Sequence, residues 1–328
     1  MKKSILPAVF AAALTVCALG ATAFTQQTSD SFKFVAIGDT PYTLPADYPR
    51  FERLISSINA AKPSFTVHAG DIKSGSSECS DANILKIRDY FNTFENPLIY
   101  AVGDNEWTDC HREKAGKFDP LERLAKLREW FFALPQSLGK TPMPLERQAD
   151  VSDFKKMVEN ARWSKNGVMF ATLNIPGSNN GFERNIDSSS EYFERDKANI
   201  AWIKDTFVKA TSSNAPAVVF TYQADMMFKV VASGDYANAG YKNTLAAFAA
   251  GAKAFKKPVL LIHGDSHVFT IDQPLLDTDG VTVLENVTRL EVFGEKQIQG
   301  VEVLVDPNSS GVFGFRPLIV TENMNPVK

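Results

Sequence analysis

The sequence predicts an α/β protein built on a largely parallel sheet, and three observations carry that expectation. Apolar runs of strand length alternate with helical periodicity through residue 265. Four of those runs, widely separated in the chain, end in a Gly-Asp pair. After the last pair the apolar runs are short and joined by polar turns with no helix between them, which predicts a β-rich closing sheet packed on the first as a second layer.

Element by element, Phe32-Lys33-Phe34-Val35-Ala36-Ile37 reads as a strand closed by Gly38-Asp39. A Pro-rich loop over residues 40–49 leads to Phe51, Leu54, Ile55 and Ile58, apolar at helical spacing. The unit repeats: residues 65–69 end in Gly70-Asp71, a Ser/Gly-rich loop carries Cys79, and Ile84, Ile87, Tyr90 and Phe91 mark a helix. Residues 98–102 end in Gly103-Asp104, and the next loop carries Cys110. Asp119-Pro120 opens a helix reaching about Phe132, with Asp as cap and Pro in the first turn. Residues 134–150 contain Pro and no clear period, and are expected as a surface excursion of one domain. A strand at 168–175, a helix at 192–208, a strand at 217–222 and a helix at 241–255 follow. The buried strand Pro258-Val259-Leu260-Leu261-Ile262 then delivers His263-Gly264-Asp265-Ser266-His267. Beyond it, strands are expected at 268–271, 281–284, 289–292 and 301–305.

At 328 residues and 44% hydrophobic, the chain can bury one large core. Its 35 Lys and Arg are interspersed with 38 Asp and Glu, so there is no basic footprint for sequence-specific nucleic-acid binding. Met1-Lys2-Lys3, an apolar stretch from Ile5 to Leu19 and Ala21-Thr22-Ala23 read as a secretory signal peptide over residues 1–23. The stretch is short for a bilayer span, so the expected product is periplasmic or secreted with no membrane span in the mature chain. Residues 24–31 read as a polar leader and 32–328 as a single domain. Apart from Cys17 in the leader peptide, two cysteines remain; in an oxidising compartment the pair Cys79 and Cys110 predicts a disulfide, against reduced thiols or a metal site.

Composition alone would yield about one Gly-Asp pair in such a chain. Four strands end in one, at Asp39, Asp71, Asp104 and Asp265; a fifth pair, Gly234-Asp235, follows no strand and reads as an ordinary turn. Strand ends of a parallel sheet share one edge, where open α/β sheets bind ligands. Four carboxylates converging there would repel one another unless cations neutralise them, and carboxylate with imidazole suits a divalent metal.

In order and spacing these residues resemble the calcineurin-like metallophosphoesterases. That family carries Asp-x-His after the first strand, Gly-Asp after the second, Gly-Asn-His-Asp/Glu after the third, then an isolated His and a closing Gly-His-x-His. The likeness runs from about Phe32 to Asn323 and is that of a divergent exported bacterial branch. It implies a four-layered α/β/β/α sandwich with metal loops at strand C-terminal ends. It also implies an exported phosphoesterase that hydrolyses a phosphate mono- or diester, in a phosphorylated small molecule, through a metal-bound hydroxide.

The resemblance maps the metal ligands to Asp39, Asp71, Asp104 in place of the family's Asn, Gln223 in place of the isolated His, Asp265 in place of the first closing His, and His267. His263, one residue ahead of the glycine, is either a displaced ligand or a strand residue behind the site. Pro41 stands where the first motif has His, and Asn105 where the third has its catalytic His. One or two divalent ions are implied, drawn from Mn, Mg, Ca, Fe or Zn, with the added carboxylates favouring the harder ions.

Near the third motif, His111 is a candidate general acid and Arg112 a candidate phosphoryl clamp; the alternative for both is a solvated loop. Trp107, Tyr42, Tyr222 and Phe182 are candidate pocket walls or core, and Asn174 a candidate substrate contact or turn residue. His68, inside a strand, reads as buried support. Pro41 and Asn105 keep a second function open, a catalytically impaired member of the fold that binds metal or a phosphorylated ligand.

Overall fold

The computed structural model describes Met1, residues 30–227 and residues 239–324. The signal-peptide expectation beyond Met1, most of the polar leader and the Gly234-Asp235 turn lie outside the described residues.

Twelve strands make two sheets among the described residues. The first contains β1 (Phe32–Ile37), β2 (Thr66–His68), β3 (Leu98–Tyr100), β11 (Gly300–Val305) and β12 (Phe313–Leu318), in the order β12-β11-β1-β2-β3. The second contains β4 (Glu146–Arg147), β5 (Ala161–Lys165), β6 (Val168–Thr172), β7 (Val218–Thr221), β8 (Val259–His263), β9 (Thr270–Asp272) and β10 (Val287–Glu291). Its order is β4-β5-β6-β7-β8-β10-β9.

The sheets face each other across a dry layer that includes Phe34, Phe65, Phe170, Val219, Leu260 and Val303. On the outer face of the first sheet lie α1 (Tyr48–Ala61), α2 (Asp81–Phe91) and α3 (Pro120–Phe131), packing Phe51, Leu54, Ile87 and Leu127 against Val35 and Tyr100. The short turns α4 (Gln148–Val151) and α5 (Gly177–Asn180) precede two longer helices, α6 (Ile186–Ser212) and α7 (Lys242–Phe255). Those two cover the second sheet through Trp202, Phe207 and Phe248. Helices, sheet, sheet, helices: the four-layered α/β/β/α sandwich is the observed architecture.

Local chemistry sets the helix boundaries. In α1 the buried residues Phe51, Leu54, Ile55 and Ile58 fall on one face, Pro49 sits in the first turn, and Lys62 stops the helix in a left-handed conformation. Asp119 caps α3 by accepting from Leu121 N at 2.8 Å, with Pro120 at the first position. Asn185 and Ser188 form a reciprocal capping box at the start of α6.

The closing strands do not form a separate sheet. β9 and β10 extend the second sheet beside β8, while β11 returns to pair antiparallel with β1, Phe34 opposite Val303, and carries β12 with it. Period-two alternation tells which side of a strand is buried, and it is silent on which edge the strand joins. The expected strand at 281–284 is reduced to one bridge between Leu276 and Val283, and residues 134–150 include the short β4 and a two-way backbone pairing of Leu98 with Leu138.

Two parallel blocks position the site. Ile37, His68 and Tyr100 are register neighbours in β1-β2-β3, so the three Gly-Asp loops leave from one edge. Thr172, Thr221 and Ile262 are register neighbours in β6-β7-β8, so residues 174–178, Gln223 and Asp265 leave from the facing edge.

Candidate metal centre

The paired glycines explain the Gly-Asp repeat physically. At Gly103 and Gly264 the absent side chain leaves room for a carboxylate from another loop, while a Cβ at Gly38 would meet Val292 and one at Gly70 would meet Gln223. A Cβ at Gly264 would lie 2.5 Å from Asp39 Oδ2, one at Gly103 would collide with Asp71 Oδ1, and one at Gly177 would lie 2.8 Å from Asp104 Oδ2 and 2.9 Å from Asp265 Oδ1. The aspartates Asp39, Asp71 and Asp265 adopt left-handed φ of 50°, 57° and 80°, a conformation Asp tolerates better than most residues.

Asp39, Asp71 and His267 place one ligand atom each within 4.8 Å of one another. Asp39 and Asp71 are buried, and Asp39 Oδ2 and His267 Nε2 have no hydrogen-bond partner. Burial, then the neighbouring carboxylates, pushes Asp39 and Asp71 well above the usual carboxylate range, and burial with Asp104 pushes Asp265 up to about 7. Burial lowers His267, which favours the neutral imidazole a metal requires. Glu295 Oε2 lies 2.7 Å from His267 Nδ1, leaving Nε2 as the free nitrogen, 3.6 Å from Asp39 Oδ1. Orphaned ligand atoms beside uncompensated buried carboxylates are what a bound cation would satisfy, so the residues fit a divalent ion.

Asp104, Gln223 and Asp265 gather on the other flank as a hydrogen-bonded set. Gln223 Nε2 donates to Asp104 Oδ1 at 3.2 Å, Ser178 Oγ to Asp104 Oδ2 at 2.8 Å, and Asp225 N to Asp265 Oδ2 at 3.0 Å, while Gly177 N donates to Gln223 Oε1. In this group every named carboxylate already has a protein partner.

The sequence pattern of the calcineurin-like phosphoesterase family matches residues 32–205, more than half of the 328 residues. The chain belongs to this family. No protein of curated function matches it significantly. Among solved structures, the phosphoesterase chain is similar to PhoD at 12% identity and TM-score 0.52, covering 85% of this chain and 65% of that one, so it spans just under two thirds of PhoD. It is similar also to GAP50, described as the anchor in the inner membrane complex of Plasmodium, at 12% identity and TM-score 0.50 over 89% of each chain. Purple acid phosphatase PPD1 from yellow lupin (Lupinus luteus) aligns at 11% identity and TM-score 0.49 over 90% of this chain and 55% of that one. At these identities the likeness is one of fold.

In this family member, Asn105 donates from Nδ2 to Asp71 Oδ2 at 2.6 Å and to Tyr42 Oη at 3.1 Å, so it holds the Asp71 carboxylate. Tyr42 also sets its ring edge-on to His267, centroids 5.0 Å apart. His111 and Arg112 are exposed on the adjoining loop; His111 Nδ1 is 2.8 Å from Thr108 O, and Arg112 pairs with Asp109 at 2.6 Å. Cys79 and Cys110 are bonded, tying the loops after β2 and β3 together.

For three candidates with two readings the structure separates the alternatives. His263 is fully buried behind the site: Nδ1 is 2.8 Å from Gly264 O, the ring stacks on Tyr222, and Nε2 is 4.0 Å from Asp225 Oδ1, outside the triad. It is the last residue of β8, and the strand's alternation turns it away from the crevice. Asn174 is buried, its Nδ2 donating to Glu159 Oε1 at 2.9 Å while Glu159 is held by Arg128, so it belongs to an internal network. Trp107 is buried with Arg195 over its ring at 5.2 Å, and only borders the adjoining cleft. His68, as expected, is buried support, its Nε2 2.7 Å from Thr40 O. Glu295 and Asp109 escaped the sequence reading, because neither belongs to a motif or follows an apolar run.

Proposed function

We propose that the chain is an exported metal-dependent phosphoesterase with one divalent ion held by Asp39, Asp71 and His267. The observation that carries this reading is the convergence of those three groups within 4.8 Å, two of them with an unpartnered ligand atom. One ion is favoured over two because, among the described residues, Asp39, Asp71 and His267 are the group that brings ligand atoms within 4.8 Å of one another. An ion there would supply Lewis acidity toward a phosphoryl oxygen and water of lowered pKa.

The chain's own groups do the rest. Asn105, itself held by Tyr42, fixes the Asp71 carboxylate, and Glu295 lies 2.7 Å from Nδ1 of His267, on the ring edge away from Asp39. Arg112 Nη2, 3.3 Å from Ser178 Oγ at the crevice rim, is placed to hold a phosphoryl oxygen. His111, with Nδ1–H engaged at Thr108 O, presents Nε2 to the cleft, and in its imidazolium form this nitrogen carries the proton delivered to the leaving oxygen. Export is supported by the leader of Lys2, Lys3 and an apolar stretch, and by a disulfide suited to an oxidising compartment.

A second reading, a metal or phosphoryl-ligand binder without turnover, is favoured by one observation. Both amide hydrogens of Asn105 are engaged, so the position aligned with the family's catalytic His has no proton to give. The similar fold of GAP50, described as an anchor, supports a non-catalytic use of this architecture. Assays of the chain lacking residues 1–23 on phosphate mono- and diesters, with Mn, Mg, Ca, Fe or Zn supplied, decide between the two. Metal-dependent turnover supports the enzyme; stoichiometric metal without turnover supports the binder.

A further inference from the structure

Beside the metal centre lies a cleft of about 630 Å³ that the preceding reading leaves without an occupant. Its inner end is Ser178, whose Oγ lies 2.8 Å from Asp104 Oδ2 and 2.9 Å from Asp109 Oδ1 and shares its one hydrogen between them, so the cleft and the carboxylate cluster share a wall. His111 and Arg112 of the disulfide-anchored loop form one side, and Phe182 and Arg184 the other.

The charges lining it are unequally committed. Asp109 is held by Arg112 at 2.6 Å and Glu191 by Arg195 at 2.8 Å, while Glu183 is exposed at the rim. Arg184 is half-buried, donates only to Thr108 O at 3.4 Å, and makes no ion pair among the described residues. Burial is the largest influence on this guanidinium and lowers its proton affinity. A guanidinium part-stripped of water and facing a cleft is a fork awaiting a carboxylate or phosphate.

We propose that this cleft is the leaving-group subsite, and that its substrate is a phosphoester whose leaving group carries a second anion, bound by Arg184. The assignment rests on the phosphoesterase reading above and names the substrate class for it. With the scissile phosphoryl at the metal triad, the leaving oxygen faces His111, and the second carboxylate or phosphate reaches Arg184. Phe182, its ring tilted 36° against Tyr192 with centroids 4.5 Å apart, gives the cleft an apolar lining.

The test compares matched ligands on the manganese-loaded chain and its Arg184→Met variant, whose fold is checked by circular dichroism. For turnover, 3-phosphoglycerate is paired with glycerol 3-phosphate, which lacks the carboxylate. The expected result is a KM about tenfold lower for 3-phosphoglycerate, a difference erased in Arg184→Met because the KM for 3-phosphoglycerate rises to that of glycerol 3-phosphate. Binding is measured separately by calorimetry with phosphonoacetate and methylphosphonate, which are not hydrolysed. Tighter binding of phosphonoacetate that depends on Arg184, without any turnover, would retain the subsite and remove the phosphoesterase reading. Equal affinity for both members of each pair, or a preference that survives Arg184→Met, overturns the subsite.

Discussion

His267 Nδ1 lies 2.7 Å from Glu295 Oε2, and this contact decides which nitrogen of His267 faces the Asp39 carboxylate. Gly294 makes the contact possible, since a Cβ there would collide with His267 Cβ. Removing the carboxylate should leave the imidazole free to rotate and change tautomer. Glu295→Ala is expected to weaken manganese binding about 10–100-fold by calorimetric titration, and Glu295→Gln, which keeps an acceptor, to weaken it less. Unchanged affinity in both variants would show that Glu295 does not position the ligand.

Gly264→Ala tests the packing of the loops themselves. Its Cβ would stand 2.5 Å from Asp39 Oδ2, so the variant should lose metal affinity and about 1–3 kcal/mol of stability in urea unfolding. Gly311→Ala, with nothing within 4 Å of the new Cβ, is the control and should stay within about 0.5 kcal/mol of the parent.

Metal-free protein should lose stability as pH rises. Burial holds Asp265 up to about 7 against an ordinary 3.8, and raises Asp39 and Asp71 as well, so the folded state binds more protons than the unfolded chain. This contribution is fully present below pH 3.8 and is lost as pH climbs through about 7. Thermal melts of chelator-treated protein between pH 5 and 8, set against manganese-loaded samples, check the sign. The metal-loaded protein should show the smaller loss, because metal binding takes the place of those protons.

The Cys79–Cys110 bond closes a loop with a sequence separation of 31 and joins two site loops. Replacing both cysteines by Ser is expected to cost about 3–4 kcal/mol in denaturant unfolding and to lower metal affinity together with it. Thiol titration of the denatured, unreduced chain lacking residues 1–23 should find no free thiol.

The sequence revealed most of this architecture because its signals are local. Phe51, Leu54, Ile55 and Ile58 announce α1, and each Gly-Asp pair follows a strand with at least one parallel neighbour. What stayed hidden depends on pairing between distant segments. The return of β11 beside β1 and the short strands β4 and β5 follow from inter-sheet packing, which alternation alone does not encode. The site divides the same way: Asp39, Asp71 and His267 stand in recognisable strings. Glu295 acts only through a fold that brings the loop after β10 against His267. His263 misled by its nearness in sequence, since one residue's shift along β8 turns a side chain to the opposite face.

The most direct test of the central claim is metal stoichiometry by mass spectrometry on the chain lacking residues 1–23, beside its Asp71→Asn and His267→Ala variants. One ion per chain, lost in both variants while circular dichroism is unchanged, is the expected result. No bound ion, or an ion retained equally by both variants, would contradict a centre built on Asp39, Asp71 and His267.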